Sequence, residues 1–300
     1  MRSSRSAALA LAMVASFLLQ AKPAFNPPAY YAAEKSIEVQ GVNTIYLDQG
    51  SGKTVLFIHG FCGNAFNWSD VFFPLSKEFR VIVPDLPGYG KSACPGKQKH
   101  MMIWYADFLA EFLDRLGVEK AVVVGNSMGG SIAAWMAIRH PDKVEKLVLE
   151  DSAGTRGGMM GLLKGVAQMT PSPMIIPLLH VVFPVDPEKM RKTPVSEQRR
   201  VEVAEARYNS ELAPCSSRAM KSSAVSLGKD LPEKQFGKIA APTLIIWGDN
   251  DDLLEVKTAE KFHQKIPGSR VDIIQGGVHT PMQWKPEEFM KVLRAFISEN

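Results

Sequence analysis

The chain has 300 residues, of which 46% are hydrophobic and 22% charged. These are ordinary values for a globular protein with a sizeable core, and the length suits one large α/β domain or two small ones. A formal net charge of +4, with no basic block interleaved with aromatics, argues against a nucleic-acid partner. Cys62, Cys94 and Cys215 form no C-x-x-C and so argue against a metal site; they read as reduced, mostly buried thiols. In an exported chain, one disulfide with one thiol left over is the alternative, and the sequence does not choose the pair.

Arg2 and Arg5 precede an apolar run from Ala7 to Leu19, which is short for a bilayer span of about 20 residues and typical of a signal peptide. The cleavage site is poorly defined. Residues 1–35 are therefore expected to be a cleaved signal or an uncleaved N-terminal anchor plus a Pro/Ala-rich linker. An organelle transit peptide or a misread start is the third reading. Ser36–Gln40 and Thr44–Leu47 alternate as the strands of a hairpin. Thr54–His59 and Arg80–Val83 are continuous apolar strands of a buried sheet, with helical spacing over Trp68–Phe79 between them. An amphipathic helix over Met102–Leu116, a strand from Ala121, a helix over Ile132–Arg139 and a strand over Val144–Glu150 follow. This alternation implies a mostly parallel sheet with helices on both faces.

The rhythm breaks over residues 155–236, where Met159, Met160, Leu162, Leu163 and Met169 lead into a proline-punctuated apolar stretch, Pro171 to Pro184. A charged helical region, Glu188 to Tyr208, comes next. This insert is expected to be helical. The α/β rhythm resumes over residues 237–300 with a strand at Ala241–Trp247, a helix at Val256–Ile266, a strand at Arg270–Ile274 and a helix at Pro286–Ser298.

The strand from Ala121 ends in Gly125-Asn126-Ser127-Met128-Gly129, a G-x-S-x-G between strand and helix. That is the context of a nucleophile elbow, with the serine at the apex of a strained turn. A serine hydroxyl needs a base, and the base needs an orienting carboxylate. His279 lies in a loop at the C-terminal end of the strand Arg270–Ile274, where ligand sites collect in open α/β sheets. His59, His100, His140, His180 and His263 have no such setting after the elbow. Asp249, Asp251 and Asp252 follow the strand Leu244–Trp247 and compete as the acid; Asp151, ending Val144–Glu150, is the rival from another strand. The oxyanion hole is expected at the backbone N–H groups of Met128 and Phe61.

With His59-Gly60-Phe61, Pro84-Asp85-Leu86-Pro87-Gly88-Tyr89-Gly90-Lys91-Ser92, Gly125-Asn126-Ser127-Met128-Gly129-Gly130, Trp247-Gly248-Asp249-Asn250-Asp251 and Gly277-Val278-His279 in one order, the chain resembles the α/β-hydrolase superfamily. The resemblance covers about residues 36–154 and 237–300. It implies an α/β-hydrolase fold whose core is split by a helical cap at 155–236. It also implies a triad of Ser127, Asp251 and His279, because the acid in relatives is the last residue of Trp-Gly-x-x-Asp. Val278 and Glu255 depart from the usual glycine and proline without removing a catalytic group.

A serine at the elbow speaks against the epoxide- and halide-processing branches, which use aspartate. The resemblance then implies a serine hydrolase of carboxylic esters, similar to monoacylglycerol lipase-like enzymes, with an apolar acyl or aryl substrate. The alternative is a carbon–carbon bond hydrolase acting on a vinylogous diketone, for which Trp284 and a cap arginine (Arg156, Arg191 or Arg207) would matter. A non-enzymatic binding protein using the cap pocket is the third reading. No cofactor or metal is implied. The expected partner is a small ester or lipid-like molecule, with membrane association through the N-terminus, in an exported or membrane-anchored protein.

Overall fold

The computed structural model describes residues 33–97, 101–175 and 215–299. The leader, most of the stretch Pro171–Pro184, the charged region Glu188–Tyr208, and His100, His180, Arg191 and Arg207 lie outside the described residues. Eight strands form one sheet: β1 (Glu34–Val39), β2 (Val42–Gln49), β3 (Thr54–Ile58), β4 (Arg80–Pro84), β5 (Ala121–Asn126), β6 (Val144–Glu150), β7 (Thr243–Gly248) and β8 (Arg270–Ile274). Their order is β1-β2-β4-β3-β5-β6-β7-β8. β1 and β2 are antiparallel, as are β2 and β4; every later pair is parallel. The C-terminal ends of β3, β5, β6, β7 and β8 therefore share one edge of the molecule.

The continuous apolar strands are explained by burial on both faces. Val123 of β5 packs with Phe108 and Ile132 on one side of the sheet, while Val122 and Val124 pack with Phe72 and Phe289 on the other. Each such side chain taken from water contributes about 1.5–3 kcal/mol. The first face is covered by α2 (Met101–Arg115) and α3 (Met128–Arg139), the second by α1 (Ser69–Leu75) and the C-terminal helix Pro286–Ser298.

Most sequence-derived elements stand within a few residues of their expected bounds, and three differ. The helix expected over Trp68–Phe79 is a 3-10 turn, Ala65–Trp68, capped by Asn64, followed by the short α1. α3 starts at Met128 rather than Ile132, because Gly129 and Gly130 are helical despite their poor propensity. A short helix, Pro281–Trp284, was not anticipated.

Between β6 and β7 the described part of the insertion holds α4 (Gly158–Met169) and α5 (Ser216–Leu227), which pack on each other, and α5 also meets α2. Leu162, Met169 and Met174 are exposed there. Among the described residues no helix is long and apolar enough to cross a membrane. The remaining helices are α6 (Lys257–His263), α7 (Pro281–Trp284) and α8 (Pro286–Ser298).

The cysteines correct the reading of three reduced thiols. Cys94, after β4, is bonded to Cys215, at the N-terminus of α5. Cys62 keeps its thiol, 4.0 Å from the Met220 sulfur. Spacing along the chain could not bring together two residues separated by 121 positions; only the docking of α5 beside the loop after β4 does so.

Candidate active site

Ser127 is the hinge between β5 and α3. Its backbone has φ 54° and ψ −115°, a left-handed conformation costly for a residue with a Cβ. The turn closes because its flanks are glycines. A Cβ on Gly125 would lie 2.2 Å from the Gly129 carbonyl oxygen, and one on Gly129 would lie 2.2 Å from that of Ile58. Ser127 N donates to Glu150 O (3.0 Å) and its carbonyl accepts from Ala153 N (2.9 Å), so β6 holds the strained turn. Met128 opens the helix, and the first N–H groups of a helix lack an intrahelical acceptor.

The loop after β3 reaches the same place. A Cβ built on Gly60 would stand 3.2 Å from the Ser127 Cβ, so the His59-Gly60-Phe61 segment runs directly beside the elbow. Two buried groups fix this loop. Asp85 accepts from Ala65 N (2.7 Å) and Lys91 N (2.8 Å). His59 bonds Gly60 O through Nδ1 (2.9 Å), and its Nε2 accepts from Leu86 N (3.1 Å). Burial drives the His59 pKa down to about 4, so the ring is neutral and structural.

His279 and Asp251 meet across the loops after β8 and β7. His279 Nδ1 lies 2.8 Å from Asp251 Oδ2, and the acid side chain is fully buried. Asp251 Oδ1 also accepts from Leu253 N (2.8 Å) and Leu254 N (2.9 Å). Burial works to raise the Asp251 pKa, but the hydrogen bond and charge of His279 outweigh it and hold the carboxyl below its ordinary value. Asp251 is thus a carboxylate that fixes Nδ1 as the donor and leaves Nε2 as a base. The rivals do other work. Asp249 accepts from Gly276 N (2.7 Å) and ties the two loops, and Asp252 is exposed. His140 pairs with Asp107, and His263 with Ser269.

Asn126, the residue before the elbow serine, donates through Nδ2 to His279 O (3.0 Å). This ties the strand that carries Ser127 to the loop that carries His279. Two further residues of this edge are Glu150 and Asp151. Glu150 accepts from Met282 N (3.1 Å) just beyond His279. Asp151 Oδ1 accepts from Gly248 N (3.0 Å) at the end of β7. Both are fully buried. Sequence reading kept Asp151 only as a rival acid and passed over Glu150. The available signal was a pair of acids closing the apolar strand Leu147-Val148-Leu149.

A parallel sheet with the elbow after β5 and an acid–histidine pair after β7 and β8 defines an α/β hydrolase, and the chain belongs to the α/β hydrolase fold family, which it matches over residues 53–286. It is similar to the 2-hydroxymuconate semialdehyde hydrolase of Pseudomonas putida, at 30% identity over 88% of this chain and 94% of that one. It is also similar to Lipase 1 of Psychrobacter immobilis, at 29% identity over 86% and 81%. Among solved structures it resembles a membrane phospholipase A described as a bacterial virulence factor, with TM-score 0.71 and 30% identity over 99% and 98% of the two chains. Its relatives thus include lipases, esterases and meta-cleavage product hydrolases.

Proposed function

We propose that the protein is a serine hydrolase of carboxylic esters with an apolar acyl or aryl group. The observation that carries this reading is the half-buried His279 bonded to the buried Asp251, a pair that shares the sheet edge with a strained serine at a helix N-terminus. In this mechanism Ser127 Oγ attacks the ester carbonyl and His279 Nε2 takes its proton. The N–H groups of Met128 and Phe61 hold the tetrahedral oxyanion, each worth about 3 kcal/mol of barrier. His279 then returns the proton to the leaving alcohol, and water hydrolyses the acyl-enzyme by the same route. Lipase and esterase relatives support the ester. The apolar run Ala7–Leu19, the Cys94–Cys215 disulfide and the exposed Leu162, Met169 and Met174 support an exported or membrane-anchored protein acting on lipid-like substrates.

The second reading is a carbon–carbon bond hydrolase. It is favoured by the likeness to the semialdehyde hydrolase and by Trp284, which closes α7 shortly after His279. Its cap arginine would be Arg156, which is exposed, or one outside the described residues. Hydrolysis of p-nitrophenyl esters from acetate to palmitate, compared with loss of absorbance from a vinylogous diketone, separates the two. An ester optimum that vanishes in Ser127→Ala supports the first reading. Ester silence with diketone turnover overturns it in favour of the second.

A further inference from the structure

The carboxyl of Asp151 has no role in the mechanism above, yet it is fully buried within the site. Its residue lies at φ 40°, in the left-handed region that costs a non-glycine residue about 1 kcal/mol or more. That strain is held by the hydrogen bond from Asp151 N to Ile246 O (3.0 Å) and aims the side chain into the gap between β6 and β7. There one carboxyl oxygen of Asp151, one of Asp251 and a ring nitrogen of His279 all lie within 4.8 Å of one another. Asp151 Oδ1 is occupied by Gly248 N–H, while Oδ2 is buried and has no donor among the described residues. Two carboxylates cannot satisfy each other, because both only accept. One proton on Asp151 turns this contact into a hydrogen bond and gives Oδ2 a partner.

We propose that Asp151 is a positioning residue: a neutral carboxylic acid that accepts from Gly248 N–H through Oδ1 and donates from Oδ2 to Asp251, holding that carboxylate square to His279. The proposal rests on the serine-hydrolase reading and extends its triad by one buried member.

The surroundings agree with the neutral form. The titratable groups facing Asp151 are Glu150 on its own strand, Asp251 after β7 and His279 after β8. Burial pushes the Asp151 pKa well above the ordinary range, and Glu150 and Asp251 push it the same way. Asp251, which keeps its charge, gains the donor. Its other bonds, from Leu253 N, Leu254 N and His279, come from its own loop and from the base. Asp151 is thus a brace from a different strand.

The test compares wild type with Asp151→Asn, Asp151→Ala and Asp151→Ser. Asparagine carries an acceptor and a donor in the places of the neutral acid; alanine carries neither. Two quantities are read. One is the rate of Ser127 labelling by a fluorophosphonate as a function of pH, with ester kcat and KM alongside. The other is the infrared difference spectrum of protein labelled with 13C-aspartate, wild type minus Asp151→Asn, at neutral pH.

The spectrum is expected to contain one protonated-carboxyl band that Asp151→Asn lacks. Asparagine is expected to keep the labelling rate within about threefold and the acid limb in place, whereas alanine loses about tenfold in labelling and kcat with KM unchanged. The acid limb of the alanine variant moves to higher pH, because Asp251 loses a donor. Serine, too short to span the gap, should follow alanine and serves if alanine does not fold.

Absence of the band, or an acid limb that falls by about one unit in Asp151→Asn, means that Asp151 is ionised and overturns the proposal. Alanine or serine variants labelled at the wild-type rate overturn it as well. A wild-type protein that never labels instead sinks the serine-hydrolase reading, and the infrared band still decides the protonation of Asp151.

Discussion

Ser127 pays a conformational penalty for its position, and this sets function against stability at a single residue. Glycine tolerates φ 54° far better than serine. Ser127→Gly is therefore expected to unfold at higher urea concentration, by about 1 kcal/mol, while losing activity by a factor of about 1,000 or more. Urea titration and ester turnover on the same preparation check both halves.

Glu150 makes a second conflict visible. Burial raises its pKa from 4.5 to about 8, although Met282 N–H and the Asn126 side chain pull it down. Between those values the folded protein holds a proton that the unfolded chain has released. Stability should therefore fall as pH rises through this window, with a slope of up to about 1.4 kcal/mol per pH unit, and then level off. In Glu150→Gln this contribution disappears, which urea midpoints at pH 5 to 9 would show as a flatter profile. The places of Ser127, on a strand-to-helix turn, and of His279, on the loop after β8, could be read from local pattern. The contacts of Glu150 and Asp151 could not, because Met282, Gly248 and Asp251 come from α7 and from the end of β7 and its loop, far along the chain.

At the scale of elements, β8 and α8 were expected at the bounds they occupy, Arg270–Ile274 and Pro286–Ser298. Apolar periodicity and a proline at the helix start suffice for both. α3 was read short because glycine is a weak helix former, and the reason for Gly129 is steric contact with β3, which no propensity encodes. The end of α8 depends on another long-range device. Lys146, buried on β6, donates to the carbonyls of Phe296 (2.7 Å), Ile297 (3.4 Å) and Glu299. A lysine at a helix C-terminus satisfies open carbonyls and meets the negative end of the dipole. Lys146→Met keeps the aliphatic stem and loses the cap. It should cost about 1–2 kcal/mol and speed hydrogen exchange in the last turn of α8 while leaving exchange in β5 unchanged.

For the whole molecule, the mostly parallel sheet with helices on both faces followed from strand–helix alternation, and the insertion from the break in that rhythm, whereas the strand order is given by the structure alone. The disulfide did not follow, since cysteine spacing carries no information on how an insertion returns to its core. Cys94–Cys215 closes a loop over 121 positions, and Cys94→Ser is expected to lower the unfolding free energy by about 2–5 kcal/mol in urea.

The same bond also governs what a protease leaves behind. Ser127 and the outgoing limb of the insertion, with α4, lie between its two sulfurs in sequence. A cut anywhere between Cys94 and Cys215 therefore divides the chain without releasing a piece. Nicked protein should run as one band on a denaturing gel and fall into two when thiol is added. A single clip there leaves both halves of the hydrolase core tethered, so the molecule can be opened by proteolysis and still travel as one covalent body.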